Sequence, residues 1–356
     1  MLKKVGSRLV YLITIFLAAM LILTFISLKV SEKTAIGLWY SYYYRDISSN
    51  SQERERAEEL GMNIEEYTVF RIREDINSKY PASKRFCNIF KGIITLNLGK
   101  PHPSLLSANP GKETVKDFVL NAFPKTIMLL CASQIVIIIG GILIGLKSIH
   151  PKSILGRVVG YLGPVSSGIP AWWIAGILIF FFALKYSIFP VCGYHSVPPK
   201  TGAKYYLDIL YHMILPVSAL VLTNIWGFAY ICRNIALKEM EEDYIITAKA
   251  EGLPERKILY KHVLKASASG ILTMSTYSFL EFISSCLVVE IIFSWKGLGY
   301  LFYNSFRLVE EGDSLVLQTD IGLFIGTCFL IVLIYLASFF ILETLYNIDP
   351  RIRVTR

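Results

Sequence analysis

Long apolar runs, with no fixed recurrence of polar positions inside them, dominate this chain. A helix needs about 20 predominantly apolar residues to cross the hydrocarbon core of a bilayer. Stretches 9–28, 127–146, 165–184, 213–232, 270–293 and 321–342 all meet that length. None contains Asp, Glu, Lys or Arg except 270–293, which carries Glu281 and Glu290. The pattern therefore predicts an all-α integral membrane protein of six transmembrane helices. The run at 9–28 follows Lys3, Lys4 and Arg8 as a signal peptide would, but it is long for one and no small-x-small cleavage pattern follows, so it reads as an uncleaved anchor.

Between the first two runs lies a polar insert, residues 30–117, with both signs of charge and a tyrosine cluster from Tyr40 to Tyr44. Its 46–67 portion has the composition of a solvated helix, and 86–98 is apolar enough to pack on something. Phe70, Ile72, Phe86, Ile89, Phe90, Ile93 and Ile94 argue for a small ordered subdomain rather than a disordered linker. The expected divisions are 1–29 (tail and first helix), 30–117 (insert), 118–346 (helices two to six, with a polar loop at 233–266) and 347–356 (tail).

Composition agrees: 54% hydrophobic and 18% charged residues are too apolar for an ordinary soluble domain. A net charge of +9 would suit a nucleic-acid partner if it were clustered, but its placement reads as topology signal. Lys3, Lys4 and Arg8, then Lys147, Lys152 and Arg157, then Arg233, Lys238, Arg256, Lys257 and Lys261, and finally Arg351, Arg353 and Arg356 all fall on one side of a six-helix topology. By the positive-inside rule that side is cytoplasmic, with both termini inside and the insert outside. The loops 185–206 and 294–320, the latter with Glu310, Glu311 and Asp313, then face out.

Catalytic chemistry finds no footing. The histidines His102, His150, His195, His212 and His262 show no HExxH spacing, there is no GxSxG, and the six cysteines form no CxxC. The cysteines give neither a disulfide framework nor a zinc site, and a Cys87–Cys192 bond, between two polar segments, would require both to face an oxidising side. No GxxxxGK[ST] phosphate loop is present, so this chain holds no ATP by that route.

The polar loop at 233–266 carries two helical patterns and a break. The first runs to about Glu251 and stops at Gly252, which can take a left-handed conformation without a Cβ penalty, and Pro254 is placed to start the second. Tyr244, Thr247, Ala248 and Glu251 recur at i, i+3, i+4 and i+7, a face with small residues suited to close docking rather than to rest on headgroups.

From Asp243 the loop reads Asp-Tyr-Ile-Ile-Thr-Ala-Lys-Ala-Glu-Gly-Leu-Pro-Glu-Arg-Lys-Ile-Leu-Tyr-Lys-His-Val-Leu, which resembles the signature loop of binding-protein-dependent ABC permeases in its dipeptide, oligopeptide and nickel importer version. The resemblance continues in Phe189-Pro-Val-Cys-Gly-Tyr, Ile214-Leu-Pro, Glu290-Ile-Ile-Phe-Ser-Trp-Lys-Gly-Leu-Gly-Tyr and Asp349-Pro-Arg-Ile-Arg, and so covers most of the chain from about Leu96. The general signature is Glu-Ala-Ala, three residues, Gly, then Ile-x-Leu-Pro. Here Ile246, Thr247 and Ala248 stand at the triplet, His262 and Lys265 replace the later Ile and Pro, and Ala248, Gly252 and Leu264 are retained.

The resemblance implies a transport subunit of a bacterial cytoplasmic membrane, not an enzyme, that uses no cofactor of its own. Two ATPase subunits would bind ATP, alongside a second and related permease chain, an extracytoplasmic solute-binding protein and a peptide substrate. It implies that Asp243, Tyr244, Thr247, Ala248, Ala250, Glu251, Gly252, Leu253 and Pro254 dock on an ATPase. A membrane-embedded sensor or enzyme that reads ligand through the insert, and an exporter, are the other classes to weigh. For the pathway, Glu281, near the middle of its run, should face protein or water. Glu290 lies nine residues on, about half a turn away in register, so the two cannot share one helix face. Glu290 reads more as a structural hydrogen-bonding group, and the adjacent Trp172 and Trp173 more as packing than as a pathway wall.

Overall fold

A computed structural model describes residues 2–101, 111–150, 153–311 and 314–348. His102, Lys152, Asp313 and the Asp349-to-Arg353 motif lie outside these. The described chain is helical apart from one hairpin, and it divides into two compact units.

The first unit comprises residues 1–120 and 301–332. Helix α1 spans Leu2–Ser49 without a break, so the first apolar run passes directly into the insert and residue 30 marks no structural boundary. Inside its apolar part, Thr24 Oγ1 and Ser27 Oγ donate to the carbonyls of Met20 and Leu23 one turn back, the local partner a hydroxyl needs where water is absent. Three helices follow: α2 (Ser51–Glu59), α3 (Ile64–Lys79) and α4 (Ala82–Thr95). The helix expected over 46–67 is therefore broken. Gly61 takes φ +67, and Asn63 caps α3 in a reciprocal capping box with Glu66. A small core of Ile47, Ala57 and Tyr67 joins α1, α2 and α3. Around it Tyr67 Oη donates to Glu53 (2.7 Å) and Tyr43 Oη to Asp75 (3.0 Å), while Arg73 pairs with Glu32 on α1 (2.8 Å). Beyond Asn304, residues expected only as loop form a two-stranded antiparallel hairpin, β1 (Phe306–Glu311) and β2 (Ser314–Thr319). Its register sets Val309 opposite Val316, residues that favour the pleated backbone.

The second unit comprises residues 121–300 and 333–356 and holds the four middle apolar runs together with the C-terminal part of the last. Helix α5 (Val115–Lys147) enters it from the first unit, and Pro124 lies near its start. Next come α6 (Ile154–Ser166) and α7 (Ala171–Leu178), the latter continuing in π-helical form through Lys185. The single span expected at 165–184 is thus a bent pair, turned by 109° at the Ser167–Pro170 break. Pro170 has no N–H to give the preceding turn and pushes Ile169 out of the helical region, which an apolar count does not register. Helix α8 runs from Ala203 to Glu239. Its seam with α5 is built on Gly141 and Gly145. A methyl on Gly141 would lie 2.5 Å from Phe228 Cδ1, and one on Gly145 would lie 2.7 Å from the Ala229 carbonyl. Small residues four apart bring two membrane helices into this range. After the short helices of the polar loop, α11 (Leu264–Ile292) forms the fifth apolar run, then α12 (Leu298–Asn304) and finally α13 (Ile321–Ile348). Among the described residues five helices are long and apolar enough to cross a membrane, six if the bent pair counts as one crossing.

Candidate functional site

Two features of the second unit are candidates for a functional site: the polar loop after α8, and a cavity among the helices.

The loop begins later than the sequence implies, because α8 stays helical past Arg233 to Glu239. Helix α9 covers Asp243–Ala250, and Glu251 is its C-cap. Gly252 then takes φ +75; its N–H donates to Lys249 O (3.0 Å), and the N–H of Leu253 donates to Ala248 O (3.2 Å). Those two bonds and the left-handed residue are the Schellman ending, which satisfies the last carbonyls of the helix. Pro254 is the N-cap of the next helix, not its first residue: its ψ of 140° is extended, and its carbonyl accepts from Lys257 and Ile258. Helix α10 (Glu255–Lys257) then passes through a π-helical stretch, Ile258–Val263, straight into α11.

The orientation of α9 differs from the face expected by spacing. Ile245 (fully buried) and Ala248 (5% exposed) point into the subunit, packed with Leu146 near the end of α5, Ile149 just beyond it, Ala236 of α8, and Ile258 and Val263. Ala248 is therefore an internal contact, separated from Tyr244, Thr247 and Glu251 with which the sequence grouped it. Asp243, Tyr244, Thr247, Ala250, Glu251, Gly252 and Pro254 are exposed, and Leu253 is half-buried against the same cluster. Tyr244 Oη donates to Glu239 (2.9 Å), and burial together with that carboxylate pushes the phenol up to about 12, so it remains a donor. Two further ties fix the loop: Arg233 Nε donates to Ser148 O (2.8 Å), and His150 meets Glu255 at 2.7 Å. Periodicity could not identify the Ile245/Ala248 face, since a short helix carrying apolar residues on two sides is oriented by what it packs against.

The cavity measures about 580 Å³. Its wall is the broken backbone between α6 and α7 with Ser166 and Ser167, Thr223 and Asn224 of α8, and Tyr277, Ser278, Glu281 and Ser285 of α11. Non-helical backbone within a membrane span is tolerated where it lines a cavity or is buried in protein, and this break lines the cavity. Glu281 is exposed within this unit, and no hydrogen bond or ion pair engages it among the described residues. Neither Trp172 nor Trp173 lines the cavity; both stand half exposed at the start of α7.

Glu290 is completely buried and does not line the cavity. It works as a helix cap: its Oε2 accepts from Gly299 N (2.7 Å), while Thr126 Oγ1 accepts from Leu298 N (2.8 Å), so side chains satisfy the first N–H groups of α12. Trp295 Nε1 donates to Lys125 O (3.1 Å), and Trp295 N to Glu290 O (2.8 Å). A Cβ on Gly297 would strike the Glu290 carboxylate, and one on Gly299 the Leu287 carbonyl. The Glu290-to-Tyr300 motif is a structural knot. The six cysteines are free thiols, and no cluster of metal-ligating side chains occurs among the described residues.

Residues 137–354 match the family model for the binding-protein-dependent transport system inner membrane component, a match that covers the cavity and the loop together. The chain belongs to this family. It is a multi-pass inner membrane permease of the ABC type, a transport subunit and not an enzyme, whose ATP is used by partner ATPase subunits and whose assembly includes a substrate-binding component. Among its relatives, the oligopeptide transport system permease protein AppB of Bacillus subtilis is 28% identical over 67% of this chain and 72% of its own. The dipeptide transport system permease protein DppB of the same organism is 25% identical over 85% and 87%, respectively. The oligopeptide transport system permease protein OppB of Haemophilus influenzae is 26% identical over 89% and 94%.

Proposed function

We propose that this permease forms half of a translocation pathway for short peptides, paired with a second, related but distinct permease chain, two ATPase subunits and an extracytoplasmic peptide-binding protein. The observation that carries the coupling half of this reading is the seat of α9. Its inner face is locked by Ile245 and Ala248 onto residues at the ends of α5 and α8, and its outer face is free. A push on that outer face reaches the spans through close-packed side chains rather than through a slack loop. The Schellman ending and Pro254 hold the angle between α9 and α11. In this reading the ATPase docks on Tyr244, Thr247, Ala250, Glu251 and the Gly252-to-Pro254 turn, with Asp243 at the edge, and Ala248 serves from behind. The peptide half is supported by the relatives' named substrates and by a cavity lined with hydroxyl and amide groups, neutral partners for peptide backbone.

The same reading makes the bent α6–α7 pair one crossing, from Arg157 on the cytoplasmic side to Lys185 outside, so both termini are cytoplasmic and 30–117 is extracytoplasmic. The test is uptake of a labelled tripeptide into proteoliposomes that hold the complete transporter. Accumulation requiring both internal ATP and the binding protein is expected; accumulation without either, or of no peptide at all, refutes the reading.

A further inference from the structure

We propose that Glu281 makes the cavity selective for cations and engages the positive end of a passing peptide, its free α-ammonium or a lysine side chain. This rests on the peptide-permease reading above. Among the described residues that line the cavity Glu281 is the one charged group; the others offer hydroxyls, the Asn224 amide, apolar surface and backbone. A carboxylate in the middle of a membrane helix is costly and is tolerated where it pairs or meets water. The two acidic residues of α11 resolve that cost differently. Glu290 is buried and caps α12, whereas Glu281 has no partner among the described residues and opens on the cavity. A volume of about 580 Å³ is that of a small-ligand site.

The consequence is an asymmetry. An α-amino group titrates near 7.7–8.0 and is largely cationic at neutral pH, so a peptide with a free N-terminus brings a charge that Glu281 attracts, and N-acetylation removes it. A peptide's carboxylates meet only neutral donors in this wall and are repelled by Glu281. Inside a membrane such charge interactions are screened less than in water. The serine, threonine and tyrosine hydroxyls around Glu281 can take over hydrogen bonds along the peptide backbone without regard to sequence, which leaves charge as the property this cavity reads.

The experiment uses the complete reconstituted transporter with saturating binding protein and a matched peptide pair, one with a free N-terminus and a lysine, the other N-acetylated with glutamate in place of lysine. The binding protein is common to every assay, so its own preference divides out when each variant's cationic-to-anionic uptake ratio is divided by that of the wild type. Glu281→Gln is expected to lower the ratio about tenfold, the order of one lost charge-assisted hydrogen bond. Glu281→Asp should keep it and Glu281→Lys invert it. An unchanged ratio in Glu281→Gln overturns the proposal, whether both rates persist or both fall together as they would for a purely structural residue. If Glu281→Gln does not accumulate in the membrane, Asp and Lys variants with equal ratios overturn it equally. A wild-type complex that moves neither peptide overturns the peptide reading itself, a result distinct from transport with unaltered charge preference.

Discussion

Gly299→Val is expected to reduce the amount of this permease in the membrane to a small fraction of the wild-type level. Helix α12 starts at Leu298, and its first N–H groups are held by Thr126 and Glu290. A Cβ at Gly299 would overlap the Leu287 carbonyl and approach the Leu287 Cα to 2.8 Å, atoms of a helix backbone that cannot rotate aside. Overpacking of a close-packed interior costs about 1–3 kcal/mol and occasionally more. Driving α12 away from its caps leaves buried N–H groups unpaired at about 1–3 kcal/mol each. Glu290→Leu removes the cap without the clash and should fall part of the way; Glu290→Gln keeps an acceptor and should stay close to wild type. Immunoblotting of membranes, with the midpoint of thermal loss of solubility in detergent, separates these cases. Normal accumulation of Gly299→Val would mean that the knot holds nothing.

Gly252→Val is expected to have the opposite signature: a permease that inserts and folds but retains ATPase poorly and transports little. Gly252 sits at φ +75 and no atom lies within 4 Å of where its Cβ would be, so strain and not crowding is the cost. A β-branched residue in the left-handed region costs on the order of 1–2 kcal/mol, enough to open the turn and release Leu253 N–H from Ala248 O. The angle between α9 and α11 then drifts while both helices survive. Gly252→Asn, with a side chain that tolerates this conformation, should behave nearly as wild type. Co-purification of the ATPase with each variant and the ATP hydrolysis elicited by loaded binding protein are the measurements. Wild-type coupling in Gly252→Val would remove the Schellman turn from the mechanism.

Much of this was legible because apolar length and glycine placement are local properties. The runs at 127–146, 213–232 and 321–342 fall within helices, 270–293 overruns its helix only by the C-cap Phe293, and the ending at Gly252 follows from one residue's freedom of φ. Tertiary competition hid the rest. Pro170 lies in an apolar run whose count it does not change, yet it divides α6 from α7. Lys29, Glu32 and Lys33 end the hydrophobic signal at residue 28 without ending α1, since helix propensity outlasts hydrophobicity there. On α9 the spacing fitted the Tyr244 face and the Ile245 face alike, and only the neighbours Leu146 and Ala236 select Ile245. Glu281 and Glu290 share a residue type and a helix, and the half-turn between them did separate a cavity wall from a cap. The Gly141 and Gly145 seam has a sequence signal, small residues four apart, that apolar length alone passes over.

The central claim, that the outer face of α9 is where the ATPase docks, is tested most directly by site-specific photocrosslinking in membranes carrying the whole complex. A photoreactive amino acid goes at Ala250 on the exposed face, at Ile245 on the buried face, or at Ser51 in the insert. An adduct with the ATPase subunit from Ala250, an adduct within the permease alone from Ile245, and none with the ATPase from Ser51 is the expected result. An ATPase adduct from Ser51, or none from Ala250 in a complex that still imports peptide, would contradict it.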